Sequence, residues 1–306
     1  MAVVYRKQKI EGVIIPAIIH NSNYFLIQMG VYEDGTISCW DKCDLNDFIG
    51  FLKRGRVVTC IPEGRELSAY GLGDYKVISA NWRYDIESFD RHIKDVVRSI
   101  NPEMANIYQT TQREKDKWQK ARVAFFPTAV PFKIKGQIGY NMIEGKSSYI
   151  FYRDDKGQLY ITTLTVYSDK TVQLDITGDK EYSLEEIESL IKSGTLTVSP
   201  KGEERVVIKD LGELVLSEDS YCCKPAEKIK EIKELALELA GEKDAIDRCR
   251  HAHYLYLCDP TDWARENLRK AYEAVPEHQR MFLGDMDTKD ADFIRILYRP
   301  QDKREV

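Results

Sequence analysis

The spacing of apolar and polar residues in this chain describes one series of elements, and the series is written twice. Residues 24–32 are apolar and β-prone, Glu33-Asp34-Gly35 interrupts them, and 36–40 resumes, which predicts a β-hairpin. Residues 159–167, the turn Ser168-Asp169-Lys170 and residues 171–174 predict a second hairpin of the same form. A helical period follows each. Leu45, Phe48, Ile49 and Leu52 share one face, and Leu184, Ile187, Leu190 and Ile191 share the other. Ser183 and Glu186 form a capping box; Asp44 stands at the same point of the first copy. Gly55 and Gly194 take the place of left-handed C-caps. Short strands at 57–61 and 196–198 then run into Pro-x-Gly turns, and a further strand and a longer helix close each copy. Those closing helices are expected over about residues 85–100 and 225–240.

The register supports duplication. Val31-Tyr32-Glu33-Asp34-Gly35-Thr36-Ile37 is echoed by Val166-Tyr167-Ser168-Asp169-Lys170-Thr171-Val172, and Leu72-Gly73 by Leu211-Gly212, at offsets of 135 to 139 residues. The second copy is expected to carry an extra strand, at 148–152, absent from the first. Residues 13–19 form an apolar run after Arg6, Lys7 and Lys9, but Pro16 and the short length favour a strand over a signal peptide. Residues 103–122 read as a helical, locally basic connector. From Lys243 onward the chain is nearly all helix, with starts at Pro260, Pro276 and Asp287. The fold class is therefore α+β: two tandem copies of a mostly antiparallel sheet-plus-two-helix module at 1–102 and 128–241, a connector at 103–127, and an α-helical C-terminal region at 242–306. A pseudo-twofold pairing, with sheets or short helices face to face, is the expected arrangement of the copies.

Composition narrows the functional classes. With 306 residues, 43% hydrophobic and 31% charged, the chain is globular and long enough to build a core without disulfides. Seven irregularly spaced cysteines suit a reducing cytoplasm. A formal net charge of −5 gives no general attraction to nucleic acid or anionic lipid, and no apolar run reaches membrane-spanning length.

Most candidate chemistry yields to a plainer reading. Cys39 aligns with Leu174 and Cys60 with Val198, so both are expected to pack as small core groups, while Cys43 aligns with Tyr182, before the helix cap, and is expected to pack on Phe48 in a hydrophobic staple. Cys249 and His253 share a helix face at i, i+4 and could give a metal two ligands, but His251 points away and Cys258 lies two turns on; a packed helix is favoured. Cys222-Cys223 is a vicinal pair that could react with soft metals or oxidants, but a loop position before the closing helix, without special role, is favoured. The glycine pair at 139 and 145 has the wrong spacing and leads into a β-prone run, not a helix, so it is no phosphate loop. The acidic run from Asp285 to Asp292 lacks the glycine and glutamate of a calcium loop. His278, between Glu277 and Gln279 and near Asp285, is a candidate general acid or base, with a solvated helix face as the simpler account. The basic stretch 113–122 with Trp118 is interleaved with acids and reads as a solvated connector.

These readings lead to a non-catalytic, prokaryotic, cytoplasmic binding or accessory protein of immunity type, with a protein partner, no cofactor and no nucleic acid, and with homo-oligomerisation open. The 18 tyrosines and 4 tryptophans supply interface anchors. The alternative is an enzyme sited between the modules and the helical tail, performing metal-assisted hydrolysis, with catalytic candidates His253, His278 and Asp285 and metal candidates Cys249 and His253.

Overall fold

The computed structural model describes residues 10–121, 131–135, 141–218, 222–241, 244–284 and 289–302. In the first copy, β1 (Gly12–Asn21) and β2 (Asn23–Tyr32) form a long hairpin, followed by β3 (Thr36–Cys39), β4 (Asp41–Asp44), α1 (Leu45–Lys53), β5 (Val57–Val58), β6 (Glu66–Ala69), β7 (Gly73–Trp82) and α2 (Ile86–Ile100). After α3 (Gln112–Ala121) and β8 (Phe132–Lys135), the second copy gives β9 (Asn141–Arg153), β10 (Leu159–Tyr167), β11 (Val172–Leu174), β12 (Glu181–Tyr182), α4 (Leu184–Ser193), β13 (Leu196–Thr197), β14 (Arg205–Ile208), β15 (Gly212–Glu218) and α5 (Pro225–Leu239). The tail is α6 (Ala245–Cys258), α7 (Asp262–Ala274), a 3₁₀ turn (Glu277–Phe282) and α8 (Ala291–Tyr298).

The pairings repeat strand for strand. β2 runs parallel to β6 with Tyr24 opposite Leu67, and β10 runs parallel to β14 with Leu159 opposite Val206. The strand at 148–152 is not an addition, because β9 pairs with β10 and β13 as β1 pairs with β2 and β5. The N-terminal apolar run is thus its counterpart; low side-chain identity hid the match while the backbone pairing kept it. Each hairpin turn is held the same way. Asp34 Oδ1 accepts from the amide and hydroxyl of Thr36 at 2.9 and 2.7 Å, and Asp169 Oδ1 from those of Thr171 at 3.2 and 2.7 Å. Position 35 has a φ of 75° and its counterpart Lys170 one of 65°.

The copies join edge to edge rather than face to face. β7 pairs antiparallel with β15, making one continuous sheet in the order β12-β11-β10-β14-β15-β7-β6-β2-β1-β5. Val77 lies opposite Leu216, its own repeat equivalent, so the pseudo-dyad passes between them; a bulge between Val215 and Leu216 breaks the symmetry just beyond. The sheet curls until β2 and β10 meet again, with Gln28 Nε2 donating to Thr163 Oγ1, another pair of equivalents. The curl encloses a core shared by both copies. Phe48, Tyr75 and Phe89 of the first lie in one apolar cluster with Phe151, Val206 and Leu214 of the second, and the Tyr75 hydroxyl donates to the Val198 carbonyl.

Helix ends follow the caps read from sequence, with local exceptions. Ser183 and Glu186 exchange their hydrogen bonds at 2.7 and 3.1 Å, Asp44 accepts from Asp47 N at 2.8 Å, and Gly194 takes the left-handed conformation. Among its described residues the connector is helical over Gln112–Ala121, and the residues before it are irregular, with Pro102 at their start and positive φ at Met104 and Asn106. The α7 cap is Thr261, whose hydroxyl accepts from Ala264 N, so Pro260 lies outside the helix rather than at its first position. Pro276 leads into a 3₁₀ turn instead of an α-helix.

Candidate functional site

The long helices α2 and α5 are equivalents at an offset of 139, and their inward positions correspond. Phe89, Ile93 and Val97 face the core from α2; Lys228, Ile232 and Ala236 do so from α5. A lysine therefore occupies a core position. Lys228 is 0% exposed, and its ammonium donates to the Gly71 carbonyl, the Ser148 hydroxyl and Glu231 Oε1 at 2.9, 2.9 and 3.0 Å. All three ammonium hydrogens are used, as burial of such a charge requires. Gly71 makes the approach feasible: its φ is 78°, and a Cβ there would stand 2.7 Å from Lys228 Nζ.

Around this ammonium the first copy, the second copy and the tail converge. Glu231 is also buried. Its second oxygen faces His278 Nε2 at 3.4 Å, while His278 Nδ1 faces Glu227 Oε2 at 3.5 Å. Neither contact completes a hydrogen bond: Glu231 Oε2 and both ring nitrogens are buried without one. Cys223 adds a buried thiol, and ligand atoms of Cys223, Glu231 and His278 all lie within 4.8 Å of one another. Burial opposes ionisation of Glu231, yet the Lys228 ammonium and His278 outweigh it and hold the carboxyl below its ordinary value. Burial pushes the Cys223 thiol up to about 12.

The other sequence candidates are dispersed. Cys249 lies in the tail's own core with Leu268, Tyr272 and Phe293, and the His253 ring packs on Phe293 at 4.4 Å between centroids; neither belongs to the cluster of ligand atoms. Asp285 falls outside the described residues. Cys39 and Cys43 are buried as expected, but Cys60 is exposed and Ile61 takes the inward place instead. Lys115 of the basic connector is engaged with Asp47 at 2.7 Å. The sequence neighbours Glu277 and Gln279 do not build the site around His278; the groups nearest its ring nitrogens, Glu227, Glu231 and Cys223, lie about fifty residues earlier. The signal that could have found them is the repeat itself, which sets Lys228 on Phe89.

The tail rests on α5 through polar contacts. Arg248 Nη2 reaches both oxygens of Glu234 at 2.9 and 2.8 Å, and Lys224 reaches Glu277 at 3.4 Å. Its outer surface is apolar at one end of the α6–α7 hairpin, where Trp263 is 74%, Tyr254 62% and Leu257 59% exposed. A hollow of about 440 Å³ lies elsewhere, beside Asp169, Glu181 and Glu185. No described helix is long and apolar enough to cross a membrane.

Comparison with known families matches residues 1–104 and 133–243 to a domain of unknown function (DUF7638), and residues 244–305 to a second domain of unknown function (DUF7639). No curated protein and no solved structure matches the chain.

Proposed function

We propose, for a chain that belongs to the DUF7638 family, that it is a non-catalytic binding protein: a cytoplasmic accessory or immunity-type factor of a prokaryote that takes a protein partner on its C-terminal helices. The observation that carries this reading is the exposure of Tyr254, Leu255 and Leu257 near the end of α6 and of Trp263 near the start of α7, four large apolar side chains close in sequence across the turn of the hairpin. Contiguous exposed apolar side chains mark interaction surfaces, and tyrosine and tryptophan supply much of the energy at such interfaces. The net charge of −5 favours a protein over a nucleic acid.

The alternative, metal-assisted hydrolysis between the modules and the tail, draws support from the meeting of Cys223, Glu231 and His278 at that junction. Hydrolysis needs a route for substrate, and a 10% exposed His278 side chain beside a 4% exposed Glu231 leaves little of one.

Native mass spectrometry of the chain gently isolated from its host tests the binding reading. A bound protein, lost or weakened at least tenfold by Trp263→Ala with Leu257→Asp, is the expected result; a hot-spot loss of about 2 kcal/mol corresponds to roughly thirtyfold. A bare chain, or a complex indifferent to both substitutions, overturns it. A second copy of the chain as the bound species would make this surface a homo-oligomer contact.

A further inference from the structure

We infer that Cys223 Sγ, Glu231 Oε2 and His278 Nε2 form a site for a divalent cation of the zinc class, which fastens the helical tail to α5. The geometry is the first argument. Glu231 Oε2 and His278 Nε2 stand 3.4 Å apart, yet neither atom makes a hydrogen bond, and the separation matches an edge of a metal polyhedron. Two ligands about 2.0–2.1 Å from a tetrahedral ion stand about 3.3 Å apart. Cys223 Sγ lies within 4.8 Å of both, and a sulfur ligand of the same tetrahedral ion would stand roughly 3.6 Å from each.

The surroundings are those of a ligand set. A ligating histidine usually presents its other nitrogen to a carboxylate, and ligating carboxylates are themselves hydrogen-bonded. Here Glu227 stands 3.5 Å from His278 Nδ1, and Lys228 donates to Glu231 Oε1 at 3.0 Å. Charge also balances. A divalent ion and the Lys228 ammonium together match the Cys223 thiolate, Glu231 and Glu227. On binding, the Cys223 proton leaves to solvent and sulfur donates its electron pair to the ion; nothing is oxidised or reduced. Thiolate, imidazole and one carboxylate select a borderline ion over magnesium or calcium, which take oxygen ligands. The groups come from the loop before α5, from α5, and from the 3₁₀ turn of the tail, so one ion would span the boundary between the two matched families.

The experiment is titration of the full chain, stripped with chelator and kept reduced, with zinc and then with cobalt(II). One equivalent taken up is expected, with a thiolate-to-cobalt charge-transfer band in the near ultraviolet. Cys223→Ser abolishes that band, and Cys249→Ser leaves it unchanged. Glu227→Gln, outside the ligand set, weakens zinc binding by about 10–100-fold, a readout that holds even if His278→Gln fails to fold. Absence of one-equivalent uptake by the wild-type chain overturns the inference, as does a band that survives Cys223→Ser.

Discussion

At the scale of single residues, the exchange of Phe89 for Lys228 says most about this molecule. The two occupy equivalent inward positions, and Phe89 lies among Phe48 and Tyr84, while Lys228 must find three acceptors. Buried ion pairs seldom stabilise relative to well-packed apolar groups, but a pair broken on one side leaves an uncompensated charge. Without added metal, Lys228→Met should therefore cost about 3–5 kcal/mol in chemical denaturation. Lys228→Met with Glu231→Leu should cost less than the single change; a double mutant as unstable as the sum of its parts would deny the coupling. The pH dependence follows from the same pair. Glu231 is more acidic folded than unfolded, so its contribution is complete above the ordinary carboxylate range and is lost as pH falls through the depressed folded value. Glu231→Gln should flatten the acid limb of the stability curve, and an unchanged limb would assign that limb to other carboxylates. The turns at Asp34 and Asp169 were legible because Asp-x-Thr makes its hydrogen bonds within three residues. The lysine was not, because a polar residue in a helical period reads as part of the solvated face unless its copy is consulted.

Elements were legible to the extent that their ends are local. The α4 capping box involves residues three apart, and sequence alone located it. Ser183→Ala removes the acceptor of Glu186 N and should lower stability by about 1 kcal/mol, read as a shift in denaturation midpoint at constant slope. A loss below a few tenths would mean that the start of α4 is held by packing alone. The equivalence of β1 and β9 was hidden because it lives in cross-strand register, where Ile18 meets Leu26 and Phe151 meets Ile161, and not in side-chain identity. The 3₁₀ turn after Pro276 was not legible, because a proline suits the start of either helix type and Glu277–Phe282 has no apolar period to tell them apart.

For the whole molecule, duplication and the α+β class were readable, but the seam between the copies was not: pairing β7 with β15 brings together strand edges from distant segments, Trp82 opposite Gly212 and Tyr75 opposite Glu218. The tail poses a different question. It has its own apolar core and meets α5 through Arg248–Glu234, Lys224–Glu277 and His278. Such contacts weaken with salt. Calorimetry of Arg248→Glu, without metal, should resolve two transitions where the wild type at low salt gives one, and high salt should broaden or split the wild-type transition in the same direction. A single transition throughout would show that body and tail are coupled by more than this polar seam.

The dyad between Val77 and Leu216 has a consequence in heredity. Were the halves separate chains pairing as a homodimer, one codon would write both sides of the axis, and a lysine gained in one helix would appear in the other. A single reading frame that holds both halves removes that bond. Each side can then be selected for its own task, so that one position holds Phe89 while its equivalent holds Lys228, with a glutamate beside it and a histidine from the tail close by.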